Sequence, residues 1–467
     1  MTCAIPTSPT IDELRRLLCL GKERAGSFNS SILVSMTRPI NSDLSPLAFF
    51  AAGNRPAPFR TFWGQPEQDF WITGQGEAAV LTFGGDGCID KIMNEHRRLM
   101  ETAIIDSPRV RGAGPLFLGG FRYDSHVPKD AVWKGFPDAL MVLPQFLFTR
   151  SKGTTWLTIN TLISLETDPP TQAEDLIADL QNLEVNPLEE VPQPPIKSVN
   201  ETSLNDWRKT VTNALHAIES GLLTKVILAR RQELHSKEPF SLETALKRLY
   251  QSYTECTIFA FENKGASFVG ATPETLARVE AGRLSLTCLA SSSARGSNPE
   301  KDSMLEKQLM SSCKERREHE VVVTMLVNTL KDVCRELHWN NTPQVWKLKN
   351  VQHLLTPFTA ELNEGCGILD IVRKLHPTPA VGGTPTDRAL EFIGNTEGDR
   401  GWYAAPVGWI DQGTGGEFVV ALRSALLRGD RAFLQAGAGI VRGSDPDQEF
   451  EETEIKFQPM LAALGSK

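Results

Sequence analysis

The stretch Gly437-Ala-Gly-Ile-Val-Arg-Gly-Ser-Asp-Pro-Asp-Gln-Glu-Phe-Glu-Glu-Thr-Glu-Ile-Lys456 passes from a glycine-rich turn directly into an acidic helix start. Glycines let backbone N–H groups approach a ligand closely. Asp445 suits the cap of a helix and Pro446 its first position. Glu449 and Glu452 then stand three apart on one face, with Lys456 one turn after Glu452. Backbone donors, carboxylates of the kind that bind hard cations and an ammonium thus fall within a short length of chain. The combination points to a small anionic ligand held partly through a metal. Pro459 sets the expectation that the helix ends or kinks near Phe457.

The rest of the chain must supply the counterparts. Its 467 residues exceed one ordinary domain, and an apolar fraction of 40% is enough for a substantial core. A net charge of −8 gives no reason to expect nucleic acid or an anionic membrane as partner, so an anionic substrate needs local cations. The eight cysteines show no C-x-x-C spacing and read as reduced structural thiols. No apolar run approaches membrane-spanning length, and Asp12 and Glu13 stand where a targeting peptide is apolar or free of acid. The expectation is a cytoplasmic protein, monomeric or weakly self-associating.

The strongest linker signal is Asn186-Pro-Leu-Glu-Glu-Val-Pro-Gln-Pro-Pro195. It divides the chain into an N-terminal part (1–186), a proline-rich linker (187–197) and a region carrying the chemistry (198–467). Residues 171–183 read as an amphipathic helix. After the linker, Ser203 suits a helix cap, and Trp207, Val211, Leu215, Ile218 and Leu222 follow at helical spacing. Residues 226–230 read as a buried strand and 241–252 as a helix. Four short strands over 257–289 read as one antiparallel meander, and 402–433 as another. One long helix is expected over 306–337. Mixed strand and helix runs indicate an α+β fold, a layered antiparallel sheet core flanked by helices.

Several side chains stand out. Glu318 precedes Val322, Leu326 and Leu330 in register and so shares the inward helix face, with Glu315 a turn earlier. A solvated helix start is the better explanation of such a charge run read alone; the inward register moves the reading toward function. Glu315 and Glu318 mirror Glu449 and Glu452, and magnesium commonly takes one or two direct carboxylates and keeps several waters. Lys225 shares a pleat face with Ile227 and Ala229, as a snorkelling strand end or as a desolvated amine able to act as a base. Glu274 follows Pro273 in a turn, where a raised pKa would make it an acid, though an exposed turn glutamate is the commoner case. Arg423 reads as a mid-strand arginine on a face with Val419, Ala421 and Ala425, which calls for an anionic partner. His376 suits either a ligand or its own loop.

In order, Lys225-Val-Ile-Leu-Ala-Arg230, Gly270-Ala-Thr-Pro-Glu274, Leu289-Ala-Ser-Ser-Ser-Ala-Arg295, Glu318-His319, His376-Pro-Thr-Pro379, Val407-Gly-Trp409, Ala421-Leu-Arg423 and the opening stretch resemble the chorismate-utilising enzymes. The resemblance spans about 204–464, and more loosely Phe117-Leu-Gly-Gly120. Anthranilate synthases usually carry glutamine where this chain has Lys225. Aminodeoxychorismate synthases usually carry lysine where it has Ala290. Lys225 with Ala290 resembles the isochorismate synthase branch, which includes salicylate synthases and adds water without a glutaminase partner.

The resemblance implies chorismate as substrate, Mg²⁺ as cofactor and a role in menaquinone or phylloquinone synthesis. It implies Lys225 as the base that activates water for C2 and Glu274 as the acid that protonates the leaving C4 hydroxyl. It implies Glu318 and Glu452 as direct Mg²⁺ ligands, Glu315 and Glu449 as ligands through water. Ala290, Ser291, Ser292, His376, Leu422, Arg423, Gly437, Gly439 and Lys456 are the implied substrate contacts. The rival readings are a salicylate synthase, which goes on to eliminate pyruvate, and a catalytically weak member with a binding role. The last is motivated by Ser291, which stands where the family motif has glycine; either the enzyme is slowed or the loop is rearranged.

Overall fold

Two large, mainly antiparallel sheets carry the chain, one of thirteen strands and one of ten among the described residues. The computed structural model describes residues 10–41, 45–52, 59–183, 192–347 and 351–465, so the first part of the linker, 187–191, lies outside them. The largest apolar cluster draws Phe259 and Phe268 from the first sheet and Phe418 and Val419 from the second, with helix residues such as Val322 and Leu326. The α+β expectation holds. The N-terminal part contributes strands to both sheets: Phe59–Gln65 pairs with Thr257–Asn263, and Phe117–Phe121 with Pro406–Ile410.

Local signals explain many of the helices. The Ser203 side chain accepts from the Asp206 N–H and opens the Leu204–Glu219 helix, which buries Trp207, Val211 and Ile218. Leu222 is not part of that stripe; it lies past the helix end and is exposed. Asp168 caps Pro169–Gln181, and Ser241 caps Leu242–Ser252. The opening stretch needs two corrections. Gly437 and Gly439 are strand residues of Arg431–Ile440, and the turn comes after them. The helix after the turn, Pro446–Leu464, does not end near Phe457 but continues past Pro459, because burial of Phe457, Met460, Ala463 and Leu464 outweighs one missing backbone bond.

Two other expectations change. The long helix is two helices, Pro299–Ser311 and Cys313–Leu330, followed by the strand Cys334–Trp339. Ser312 makes the break: its side chain accepts from the Glu315 N–H and starts the second helix. Nor are the meanders each within one sheet. Ala266–Thr272 belongs to the first sheet and Thr275–Glu280 to the second, so the chain crosses at Pro273 and Glu274. It crosses back between Gly416–Val420 and Ser424–Arg428. Arg423 is therefore a crossover residue with φ 49, not a mid-strand residue.

Candidate active site

The two crossovers, the Lys225–Ser236 strand and the starts of two helices surround a cavity of about 220 Å³. Lys225, Glu274, Ala290, Ser291, Glu315, Glu318, Leu422, Arg423, Gly437, Gly439, Glu449, Glu452 and Lys456 all border it. A chain separation of more than two hundred residues is thus closed into one site. A second, more apolar cavity of about 430 Å³ adjoins it, sharing Pro273, Arg423, Glu452 and Lys456.

Strand periodicity aims Lys225. Val226, Leu228 and Arg230 point into the core, while Lys225 and Ile227 face the cavity. Gly439 pairs with Ile227 on the neighbouring strand, and a Cβ there would approach the Lys225 Cε to 3.3 Å. Gly439 therefore keeps room for this side chain. The Lys225 Nζ donates to Glu318 Oε1 at 2.6 Å. Arg400 braces the same strand: its guanidinium donates to the Ile227 carbonyl at 2.8 Å and to Glu397.

Glu274 faces the cavity at its crossover. Burial pushes its carboxyl up to about 7, against the opposing pull of Arg423, then Lys456, then Lys225. It is thus substantially protonated near neutrality. Arg423 lies across from it, and burial lowers the pKa of its guanidinium from the ordinary value. Such an arginine favours an anionic ligand. Lys456 donates to the Gly437 carbonyl at 2.8 Å and to Glu452 at 2.5 Å.

The four carboxylates supply hard oxygen donors. Burial, and next the charge of Glu452, raises Glu449. Burial also opposes ionisation of Glu452, but the Lys456 ammonium together with Arg423 and His353 outweighs it and brings the carboxyl below its ordinary value. Two crowded carboxylates, one destabilised by the other, are a pair that a cation relieves. Among the described residues no three donors already converge as a ligand cluster. The donor chemistry fits Mg²⁺, which needs only one or two direct carboxylates.

Other predicted contacts fall differently. His376 is enclosed, its Nε2 3.0 Å from the Tyr123 carbonyl and its ring edge-on to Tyr123; it does not border the cavity. Burial takes its imidazole down to about 4, so it is neutral. The backbone of Ser292 pairs with His353. Among the lining residues that escaped the sequence reading are His353, Arg400 and Tyr403. His353 had a findable signal, since it alternates with buried Gln352 and Leu354 along Val351–Leu362. Burial, then Arg423 and Lys456, brings its imidazole down to about 3.

The chain and its fold have known counterparts. The model of the family described as "Chorismate binding enzyme" matches residues 21–465. Isochorismate synthase MenF of Bacillus subtilis is 36% identical over 452 residues, 95% of this chain and 96% of that protein. The salicylate biosynthesis isochorismate synthase of Pseudomonas aeruginosa is 33% identical over 472 residues, covering 100% of this chain and 97% of the relative. Among solved structures, MenF, the menaquinone-specific isochorismate synthase from Escherichia coli, superposes with a TM-score of 0.79 at 25% identity, covering 96% of this chain and 99% of that one. The chain belongs to the chorismate-binding enzymes. Among the described residues no helix is long and apolar enough to cross a membrane.

Proposed function

We propose that this protein is an isochorismate synthase that converts chorismate to isochorismate in menaquinone synthesis. The observation that carries the reading is Lys225 and Glu274 bordering one cavity, the second with its carboxyl raised to about 7. The near full-length similarity to isochorismate synthase MenF supports it.

In this reading a water molecule attacks C2 of the ring and gives its proton to the Lys225 amine. The Lys225 Nζ is oriented by its hydrogen bond to Glu318 Oε1. At C4 the carbon–oxygen bond breaks, and the hydroxyl leaves as water after taking the Glu274 proton. One water enters and one leaves, so the substrate is isomerised. A raised glutamic acid suits the donor role near neutral pH. Arg423 and Lys456 hold the carboxylates of the substrate, with Gly437 and Gly439 leaving space beside them. Glu318 and Glu452 would hold Mg²⁺ directly, with Glu315 and Glu449 reaching it through water. When bound, Mg²⁺ supplies positive charge for the ring carboxylate.

Incubation with chorismate and Mg²⁺ followed by product analysis tests the reading. Isochorismate without pyruvate is the expected result. Salicylate with pyruvate would establish a salicylate synthase instead, and unchanged chorismate would refute catalysis.

A further inference from the structure

Ser291 holds a backbone conformation that serine rarely adopts. Its φ is 63, in the left-handed region, at an irregularity in the pairing of Arg283–Ala294 with Val351–Leu362. A non-glycine residue costs something there, and such strain persists only where surrounding contacts fix it. One contact is specific to the hydroxyl. The Ser291 Oγ donates to the Glu315 carbonyl at 2.8 Å. That carbonyl lies in the first turn of Cys313–Leu330, the helix that presents Glu315 and Glu318 to the cavity. A carbonyl already serving a helix has a second lone pair to accept such a bond. The Ser291 backbone also hydrogen-bonds the His353 ring.

The Ser312 cap explains why a tether matters. The helix starts immediately after Pro299–Ser311 ends, with Ser312 serving as cap residue to both. Its first turn therefore lies next to a break in the chain direction. A bond from the sheet to that turn fixes where two carboxylates stand.

We infer that Ser291 is a positioning residue, whose hydroxyl ties the sheet to the first turn of the Cys313–Leu330 helix and sets the cation-binding geometry of Glu315 and Glu318. The inference rests on the functional reading above in treating those carboxylates as cation ligands. It also gives the serine a task in place of the glycine that the family motif carries. Glycine at this position relieves the backbone and loses the tether; alanine loses the tether and keeps the strain.

The test compares wild type, Ser291→Ala and Ser291→Gly. Mn²⁺ binding is read from the electron paramagnetic resonance of free Mn²⁺, and hydrogen exchange is followed over residues 313–319. Both variants are expected to bind Mn²⁺ about three- to tenfold more weakly, the loss typical of one neutral hydrogen bond. Exchange over the first turn should accelerate in both. Wild-type Mn²⁺ affinity and exchange in Ser291→Ala would overturn the inference. So would a defect confined to Ser291→Ala, which would trace to strain and not to the hydroxyl. If wild type makes no isochorismate yet both variants show the weaker binding and faster exchange, the functional reading fails and the tether stands.

Discussion

Glu274 and Arg423 are locked to each other's crossovers by the backbone. The Val420 N–H donates to the Glu274 carbonyl at 3.0 Å, and the Ala271 N–H donates to the Arg423 carbonyl at 3.1 Å. Each residue marks a point where the chain leaves one sheet for the other, and each side chain meets the same cavity. The positions of an acid and of an anion holder are thus set by sheet topology and not by a flexible loop. Rigid placement of this kind is what positioned catalysis needs.

The pH dependence follows from Glu274. Its carboxyl is raised to about 7, so the proton donor is present below that value and is lost as pH rises through it. The free-enzyme profile of kcat/KM should fall on the alkaline side with an apparent pKa near 7. Glu274→Gln should lower kcat by about 10²–10⁴ and remove that limb. A variant with intact activity, or with the same alkaline limb, would refute Glu274 as the acid.

Removal of the base should be as severe. Lys225→Ala is expected to reduce kcat by about 10²–10⁴, with chorismate binding retained through Arg423 and Lys456. Direct titration of chorismate into the inactive variant separates the two effects. Full turnover by Lys225→Ala would sink the assigned base.

Arg423 offers a contrast with its conservative replacement. Lysine keeps the charge but lacks the planar fork that can meet a carboxylate with two parallel bonds. The backbone at φ 49 is unchanged by that exchange, so the comparison isolates the head group. Arg423→Lys should lower kcat/KM about 10- to 100-fold, the scale of a charged hydrogen bond. Unchanged kcat/KM would remove Arg423 from the substrate contacts.

Sequence periodicity exposed some of this site and concealed the rest for definite reasons. A two-residue period put Lys225 on the face of Ile227, and a helical period put Glu318 on the face of Val322; both residues reached the cavity. Sheet assignment was illegible because Pro273 and the Ala421-Leu-Arg423 segment look like ordinary turn and strand, whichever sheet follows. Ser312 was illegible as a break because helix formers flank it on both sides, and only its side-chain bond to the Glu315 N–H shows a new start. His376 looked polar and available, yet the fold encloses it against Tyr123. Arg400 was missed because its pairing with Glu397, three residues earlier, reads as an ordinary local ion pair, and its bond to the Ile227 carbonyl forms only through tertiary structure.

Glu452 ties the helix start to cation dependence. It bears the Lys456 ammonium at 2.5 Å and sits close enough to Glu449 to raise it. Glu452→Gln keeps the shape and removes one negative charge. The variant should need at least about tenfold more Mg²⁺ for half-maximal rate, since each tenfold corresponds to about 1.4 kcal/mol of lost ligand energy. An unchanged Mg²⁺ requirement would exclude Glu452 from the metal set.

Glu417 tests stability separately from chemistry. It is fully buried on Gly416–Val420 and accepts hydrogen bonds from Arg111 at 2.5 Å, Gln65 at 2.7 Å and Arg278 at 2.9 Å. Burial alone would raise its carboxyl, but Arg111 and then Arg278 outweigh that and hold it below the ordinary value of 4.5. A depressed carboxylate stabilises the fold above its unfolded value, and the contribution disappears as pH falls through the folded one. Glu417→Gln leaves two arginines without their anion and should cost about 3–5 kcal/mol in chemical denaturation at neutral pH. Because the proton-linked loss is gone, the gap between variant and wild type should narrow as pH drops below about 4.5. Glu417 does not border the cavity, so kcat/KM per folded molecule should be unchanged. A cost under about 1 kcal/mol would show that the buried pair adds no more than an exposed one.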